Sequence, residues 1–319
     1  MPPGSPPERC SPDSPWPCSS ATDEAWCDAP MHIEALYRFP VKSLLGERVD
    51  QARMTDRGVL GDRAYGLVDV SDGTVASAKH PRKWGALLGL SARFVTEPEP
   101  GAPVPPVVIT LPDGTQLRSD DPGTDAALSD LVGREVRLTS EAPAGIRFEE
   151  QWPAIDGLAP TEFIEGTTHD YEGDEPVSAI DLGMLAPGTF FDLAPLHLLT
   201  RATLDRLTEL GDGSDFDVLR YRPNVLVAGT EPGFAEDEWV GRTVGLDDAV
   251  RADVSMLTMR CVMTTLAQGE LPEDRGTLRT VAKHHRREIP GLGTWACAGV
   301  YAGVSGTGIV RTGDAVTLA

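Results

Sequence analysis

From His32 to about Thr139 the chain is a succession of short alternating or β-branched runs, each cut by turn residues before it reaches helix length. The runs are His32 to Phe39, Val49 to Met54, Tyr65 to Val70, Thr74 to Ala78, Leu88 to Val95, Val107 to Leu111 and Val136 to Thr139. Strands this short bury one face through a period of two and need partners on several sides, so the pattern predicts a barrel or sandwich. One helix is expected at Asp125 to Leu131, with Thr124 as its N-cap after the turn Asp120-Asp121-Pro122-Gly123.

Residues 141–187 break this rhythm. They are rich in Gly, Pro and acid and carry no period, which predicts an acidic insertion, lid or linker. Beyond them Phe190 to Leu193 reads as a strand. Arg201 to Leu210 places Leu204, Leu207 and Leu210 on one face of a short helix ended by Gly211. Val218 to Val227 reads as a strand pair, or as one long strand broken near Pro223, and Val244 to Leu257 partly alternates. Thr277 to Arg286 reads as a helix, and Thr294 to Leu318 as strands turned at Gly306-Thr307-Gly308 and Gly313-Asp314. The expected class is mostly β with a few helices (α+β): a leader over 1–30, a β-barrel-like unit over 31–140, the insertion over 141–187 and a second β-rich domain over 188–319.

The leader expectation rests on composition. Eight of the 27 prolines and three of the five cysteines, Cys10, Cys18 and Cys27, fall in the first thirty residues, without the apolar core of a secretory signal. Met31 stands directly before the first strand-like run and is a candidate physiological start. An odd number of cysteines without C-x2-C spacing argues against a disulfide framework or zinc ribbon, and the expected address is cytoplasmic. No apolar run approaches the roughly 20 residues of a bilayer-spanning helix, so no membrane partner is expected.

A net charge of −21 argues against nucleic acid as the partner, because phosphate backbones are held by an excess of Lys and Arg. The charge is uneven, however: residues 148–200 hold eleven acids and no Lys or Arg, while the flanking regions keep their cations in short motifs. An anionic ligand can still find a local basic pocket.

Five motifs carry candidate chemistry. In Met259-Arg260-Cys261-Val262-Met263-Thr264-Thr265, a cysteine after an arginine is either a thiol whose pKa the cation lowers or a buried small hydrophobe. Pro40-Val41-Lys42-Ser43 and Gly61-Asp62-Arg63 each set a long cation at a strand end beside a turn, which suits an anionic group or simply a solvated surface. Ala78-Lys79-His80-Pro81-Arg82-Lys83 adds a cationic turn whose plainer reading is a solvated loop. Arg220-Tyr221-Arg222-Pro223-Asn224 reads as a strand projecting both guanidinia to one face, as a pocket wall or as a solvated edge.

In chain order, PVKS, GDR, RPN, RC-x-x-TT and the closing Gly308-Ile309-Val310-Arg311-Thr312-Gly313-Asp314-Ala315-Val316 resemble the MOSC proteins that carry an N-terminal MOSC β-barrel, a group that includes the amidoxime-reducing components. The resemblance covers about 31–140 and 188–319. It implies that Cys261 ligates the molybdenum of a molybdenum cofactor. By the same resemblance Lys42, Ser43 and Arg63 hold the phosphate end of the pterin, while Arg222, Asn224 and Arg260 line the cofactor, with Arg260 also beside the reacting centre. At the family level, pyridoxal phosphate binding is a further expectation.

The activity so implied is an oxidoreductase that cycles between Mo(VI) and Mo(IV) and reduces small N-hydroxylated substrates such as hydroxylamines and amidoximes. The sequence carries no flavin, haem or iron–sulfur motif, so the electrons are expected from a separate ferredoxin- or flavin-type reductase. The alternative is a non-catalytic carrier of the cofactor or of sulfur. The chain departs from the eukaryotic pattern beside the metal, with Met259 two residues before the cysteine and Leu266 to Pro272 in place of an acidic D-x-D-T-G turn.

Overall fold

In the strand Arg251–Met259, Ala252, Val254 and Leu257 are buried, and it pairs antiparallel with the thirteen-residue strand Gly293–Ser305 as far as Met259 opposite Cys297. This pair is the spine of the computed structural model, which describes residues 30–143, 145, 147–181 and 189–319. The leader expected over 1–30 lies outside the described residues apart from Pro30. Among those described, strands outnumber helices, as expected for the α+β class.

Around the spine a nine-stranded sheet runs in the order Glu47–Val49, His32–Arg38, Val225–Ala228, Leu196–Thr200, Gly293–Ser305, Arg251–Met259, Thr243–Gly245 and Thr317–Leu318, with Arg286–Ile289 paired to Gly293–Ser305. Leu196–Thr200 and Val225–Ala228 are parallel, and helix Arg201–Leu210 makes the crossover that parallel strands require. Thr200 caps that helix through the Thr203 amide at 3.1 Å, and Leu204 and Leu207 bury its inner face. His32–Arg38 pairs with Val225–Ala228, and Gln51–Thr55 pairs with Gly308–Arg311. The first strand of the N-terminal unit therefore lies inside the sheet of the C-terminal one.

A second apolar cluster gathers Leu67, Trp84, Ile109 and Leu128 between small sheets and the helix Thr124–Val132, which Gly133 ends in the left-handed region at φ 69°. Thr124 is the first residue of this helix rather than its cap, and its hydroxyl donates to the Arg118 carbonyl at 2.5 Å. A small cluster of Ala78, Leu88, Cys261 and Met263 joins the two units, so the cysteine loop rests on the N-terminal one.

Several elements differ from the sequence reading. Val218–Tyr221 is a short helix, because the Asp217 carboxylate caps the Leu219 amide at 2.7 Å and Arg222 ends the turn at φ 54° before the proline. The strand begins only at Val225. Phe190 to Leu193 is irregular, and Thr74 to Ala78 makes a single bridge, Val75 to Val68. The later helix spans Arg275–His284, with Arg286 already in the next strand. The aperiodic region holds a three-stranded sheet, Arg147–Gln151, Glu175–Asp181 and Thr168–Glu172, with helix Thr161–Thr167. Its apolar residues show no visible period because they reach the core from separate elements, through Phe148, Trp152, Leu158 and Val177, with Phe163 and Ile164 of the helix partly buried.

Candidate functional site

The backbone of Pro40-Val41-Lys42-Ser43 is zipped to that of Gly61-Asp62-Arg63-Ala64-Tyr65. Arg63 donates to the Phe39 carbonyl at 2.7 Å, Tyr65 to Pro40 at 3.0 Å and Lys42 to Tyr65 at 2.9 Å. The Asp62 carboxylate accepts from the Phe39 amide at 2.7 Å and pairs with Arg63. Gly61 makes the turn at φ 85°, where a Cβ would meet the Phe94 ring at 2.6 Å. Two guanidinia flank the Phe39 ring, Arg63 at 4.4 Å and Arg222 at 4.2 Å from its centroid.

Cys261 ends the spine. Arg260 donates its amide to Ala296 at 2.8 Å, and the chain then turns through a 3-10 helix over Val262–Thr265. The two threonines fix that turn: Thr264 Oγ1 donates to the Cys261 carbonyl at 3.1 Å, and Thr265 Oγ1 to Val262 at 2.7 Å. From the other side the buried Arg220 clamps the loop, with its guanidinium donating to the carbonyls of Leu266 at 3.2 Å and Pro272 at 2.8 Å.

These segments meet at one pocket of about 90 Å³, lined among others by Lys42, Ser43, Arg63, Arg222, Asn224, Arg260 and Cys261. All seven residues singled out in the sequence are thus brought together, from motifs more than 200 positions apart. Among the described residues three non-glycine residues adopt positive φ, and they are Ser43, Arg63 and Arg222. Each such conformation costs on the order of 1 kcal/mol, and such strain persists where the surrounding structure holds it for a purpose.

Six cationic side chains and one carboxylate, Asp192, line the pocket. Lys42 donates to Asp192 and to the Phe190 carbonyl at 3.0 Å, and Lys79 approaches Asp192 at 3.3 Å. Burial opposes charge on Asp192, but Lys42 and Lys79 outweigh it and hold the carboxyl well below its usual range. Burial pulls the Lys42 ammonium down, so its charge leans on Asp192. Burial also opposes charge on Lys79, yet Asp192 and Glu150 raise its pKa well above the ordinary lysine value. Arg222 is pulled down to about 9 by burial and by Arg63, which still leaves a cation at neutral pH.

Arg260 donates to the Tyr221 carbonyl at 3.0 Å and Arg222 to that of Leu44 at 2.8 Å. Arg260 Nε and Arg222 Nη1 are buried without a partner among the described residues. Buried orphan donors of this kind fit an anionic ligand. Burial pushes the Cys261 thiol up, against the pull of Lys79 and Arg260, so the neighbouring arginine does not by itself produce a thiolate.

The expected strand with two guanidinia on one face is not there. Helical turn and left-handed cap send Arg220 to the cysteine loop and Arg222 to Leu44. Asn224 lines the pocket, but its amide is committed to backbone: it accepts from the His197 amide at 3.2 Å and donates to Tyr37 at 3.3 Å. Lys79 is a half-buried pocket residue rather than part of a solvated loop, and the Ser43 hydroxyl fixes the turn by accepting from the neighbouring Ala78 amide at 3.0 Å. Asp192 and Tyr301 also line the site, and no motif marks either. Cys297 is fully buried in the spine, as its apolar surroundings suggest.

A buried thiol at a strand end, ringed by strained and cationic residues from both units, makes a pocket whose charge suits an anionic ligand. The MOSC domain model matches residues 187–317 and the MOSC N-terminal beta barrel domain model matches residues 31–85, together more than half of the sequence. The chain belongs to the MOSC domain proteins with an N-terminal MOSC beta barrel. It is 30% identical to mitochondrial amidoxime-reducing component 1 of Xenopus laevis over 129 residues, 39% of this chain and 36% of that protein. The match therefore spans about a third of the relative's length. The crystal structure of the YUAD protein from Bacillus subtilis aligns with 91% of this chain and 96% of its own at 11% identity, with a TM-score of 0.41, a likeness too slight to carry an argument. No helix among the described residues is long and apolar enough to cross a membrane.

Proposed function

We propose that this chain binds the molybdenum cofactor and is an oxidoreductase that reduces N-hydroxylated compounds with electrons from a separate ferredoxin- or flavin-type reductase. The observation that carries the reading is the convergence of Lys42, Ser43, Arg63, Arg222, Arg260 and Cys261 on one pocket, with the positive-φ residues among them. The family and the named activity of the Xenopus relative support it.

Among the described residues no group of three or more His, Cys, Asp or Glu side chains comes together as a metal cage. A metal at Cys261 therefore takes its remaining ligands from a cofactor, which the surplus of cations suits. When bound, the cofactor supplies a two-electron centre able to reduce an N–O bond. Lys42, Arg63 and Arg222 would hold its phosphate, and Cys261 would supply the thiolate, its proton passing to solvent. Arg260, fixed by Tyr221, orients the group beside the thiol, while Arg220 and the two threonines hold the cysteine loop in place.

Elemental analysis and pterin fluorescence of the chain from a molybdenum-competent host test the reading, with Cys261→Ala, Lys42→Ala and Arg63→Ala alongside. The expected result is molybdenum in the wild type, none retained by Cys261→Ala and lowered occupancy in the other two. Molybdenum-free wild type sinks the proposal. Occupied wild type without turnover of a hydroxylamine by a chemical reductant indicates a carrier instead.

A further inference from the structure

The helix Arg275–His284 carries no acid, although the chain as a whole stands at −21. Its inner face is buried through Leu278, Val281 and Ala282, and Thr277 Oγ1 donates to the Thr264 carbonyl of the cysteine loop at 3.0 Å. Asp274, its N-cap, donates its amide to the Thr265 carbonyl at 2.7 Å. The outer face is exposed and presents Arg275, Arg279 and Lys283 four residues apart, so that they form one row. Among the described residues Arg275 pairs with Glu273 at 3.1 Å, while Arg279 and Lys283 form no ion pair. Like charges at this spacing repel, and Arg275 in the first turn also opposes the helix dipole. The row therefore works against the helix that bears it.

Arg275 and Arg279 also line a cleft of about 290 Å³ together with Arg82, and Val262, Thr265 and Leu266 put the outside of the cysteine loop on its wall. Two acids lie there too, but Glu273 is taken by Arg275 and Glu175 by Gln151. We propose that this face is the docking surface for an acidic electron-transfer protein, which the cationic row steers onto the outer side of the helix that holds the cysteine loop. The partner's redox class rests on the proposed function, and the surface rests on its charge. Complementary charge speeds encounter and sets orientation more than it tightens binding, which suits a carrier that must leave after delivery. A one-electron carrier docks twice for each N–O bond reduced: two reduced partners are oxidised while the N-hydroxy compound and two protons become amine and water. A long polyanion such as nucleic acid has to cross the acidic surface beyond the row, whereas a small protein can dock on the row alone.

The test measures binding of the full chain to two acidic carriers, a plant-type [2Fe–2S] ferredoxin and a flavodoxin. Wild type is expected to bind at least one of them at about 0.05 M salt and at least about tenfold more weakly at about 0.5 M, where exposed charges are screened. The double variant Arg279→Glu/Lys283→Glu is expected to bind that carrier at least about tenfold more weakly than wild type, with no loss of melting temperature. Arg137→Glu, exposed on a strand of the N-terminal unit, is expected to bind as wild type does. No binding of either carrier by wild type, undiminished binding by the double variant, or equal weakening by Arg137→Glu overturns the docking surface. So does capture of a duplex oligonucleotide or of anionic lipid vesicles as tightly as the carrier, which makes the row a general polyanion surface. The two readings fail separately. Molybdenum and turnover with a chemical reductant, without binding that depends on the row, sink only the docking surface; such binding by a chain that takes up no molybdenum sinks only the proposed reductase.

Discussion

Lys42 Nζ donates to the carboxylate of Asp192, a residue 150 positions later, and so closes the cationic pocket on an internal anion. On the function proposed above, that carboxylate competes with the phosphate of the cofactor for the same cations.

Asp192→Asn is therefore expected to act in two directions. Lys42 is buried and loses its charged partner while Asp192 is only half-buried, a loss of about 1–3 kcal/mol, so thermal unfolding should come earlier. The freed ammonium groups should bind inorganic phosphate more tightly than wild type, and added phosphate should restore part of the lost stability. Calorimetric titration and thermal melts with and without phosphate check both, and unchanged phosphate affinity contradicts the placement of the anion site.

Arg220→Met removes the clamp on the cysteine loop. The carbonyls of Leu266 and Pro272 lose charge-assisted bonds, each worth roughly 1.5–3 kcal/mol. Chemical denaturation should show a loss of a few kcal/mol, partly offset by the burial of methionine. Metal content after purification should fall although Arg220 is not a metal ligand, and full retention would show that the loop holds its shape without it.

Asn224→Leu separates a ligand role from a structural one. Its side-chain amide bonds to His197 and Tyr37, so its loss leaves two backbone groups unpaired inside the sheet, at roughly 1–3 kcal/mol each. The expected signature is a lowered melting temperature with cofactor occupancy per folded molecule unchanged. Occupancy that drops with normal stability would restore Asn224 as a direct contact.

Acid should loosen the join between the cationic turn and the 147–181 segment. His80 lowers the Glu149 carboxyl, burial opposes it and Lys83 assists, and the result lies at about 2. A carboxyl depressed in the folded state contributes stability that is fully present above its unfolded value near 4.5 and is lost as the pH falls toward 2. Unfolding free energy should therefore decline through that window, and Glu149→Gln should flatten the decline. An identical acid profile in the variant removes Glu149 as its source.

The sequence by itself determined the class of the fold and picked out seven side chains that the structure brings to one pocket. Short β-branched runs, turn residues and five ordered motifs are local signals, and a strand or turn is specified largely by its own residues. The extent of Val218–Tyr221 escaped because the Asp217 cap and the left-handed Arg222 together overrode an apolar run that reads as strand. Only the tertiary structure decided that Lys79 lines the pocket, that Asp192 answers Lys42, that Asn224 serves the sheet and that Phe163 meets Trp295. Those facts depend on contacts between residues far apart in the chain, and whether burial or a neighbouring charge governs a side chain is set by that assembled surrounding, which no local spacing encodes.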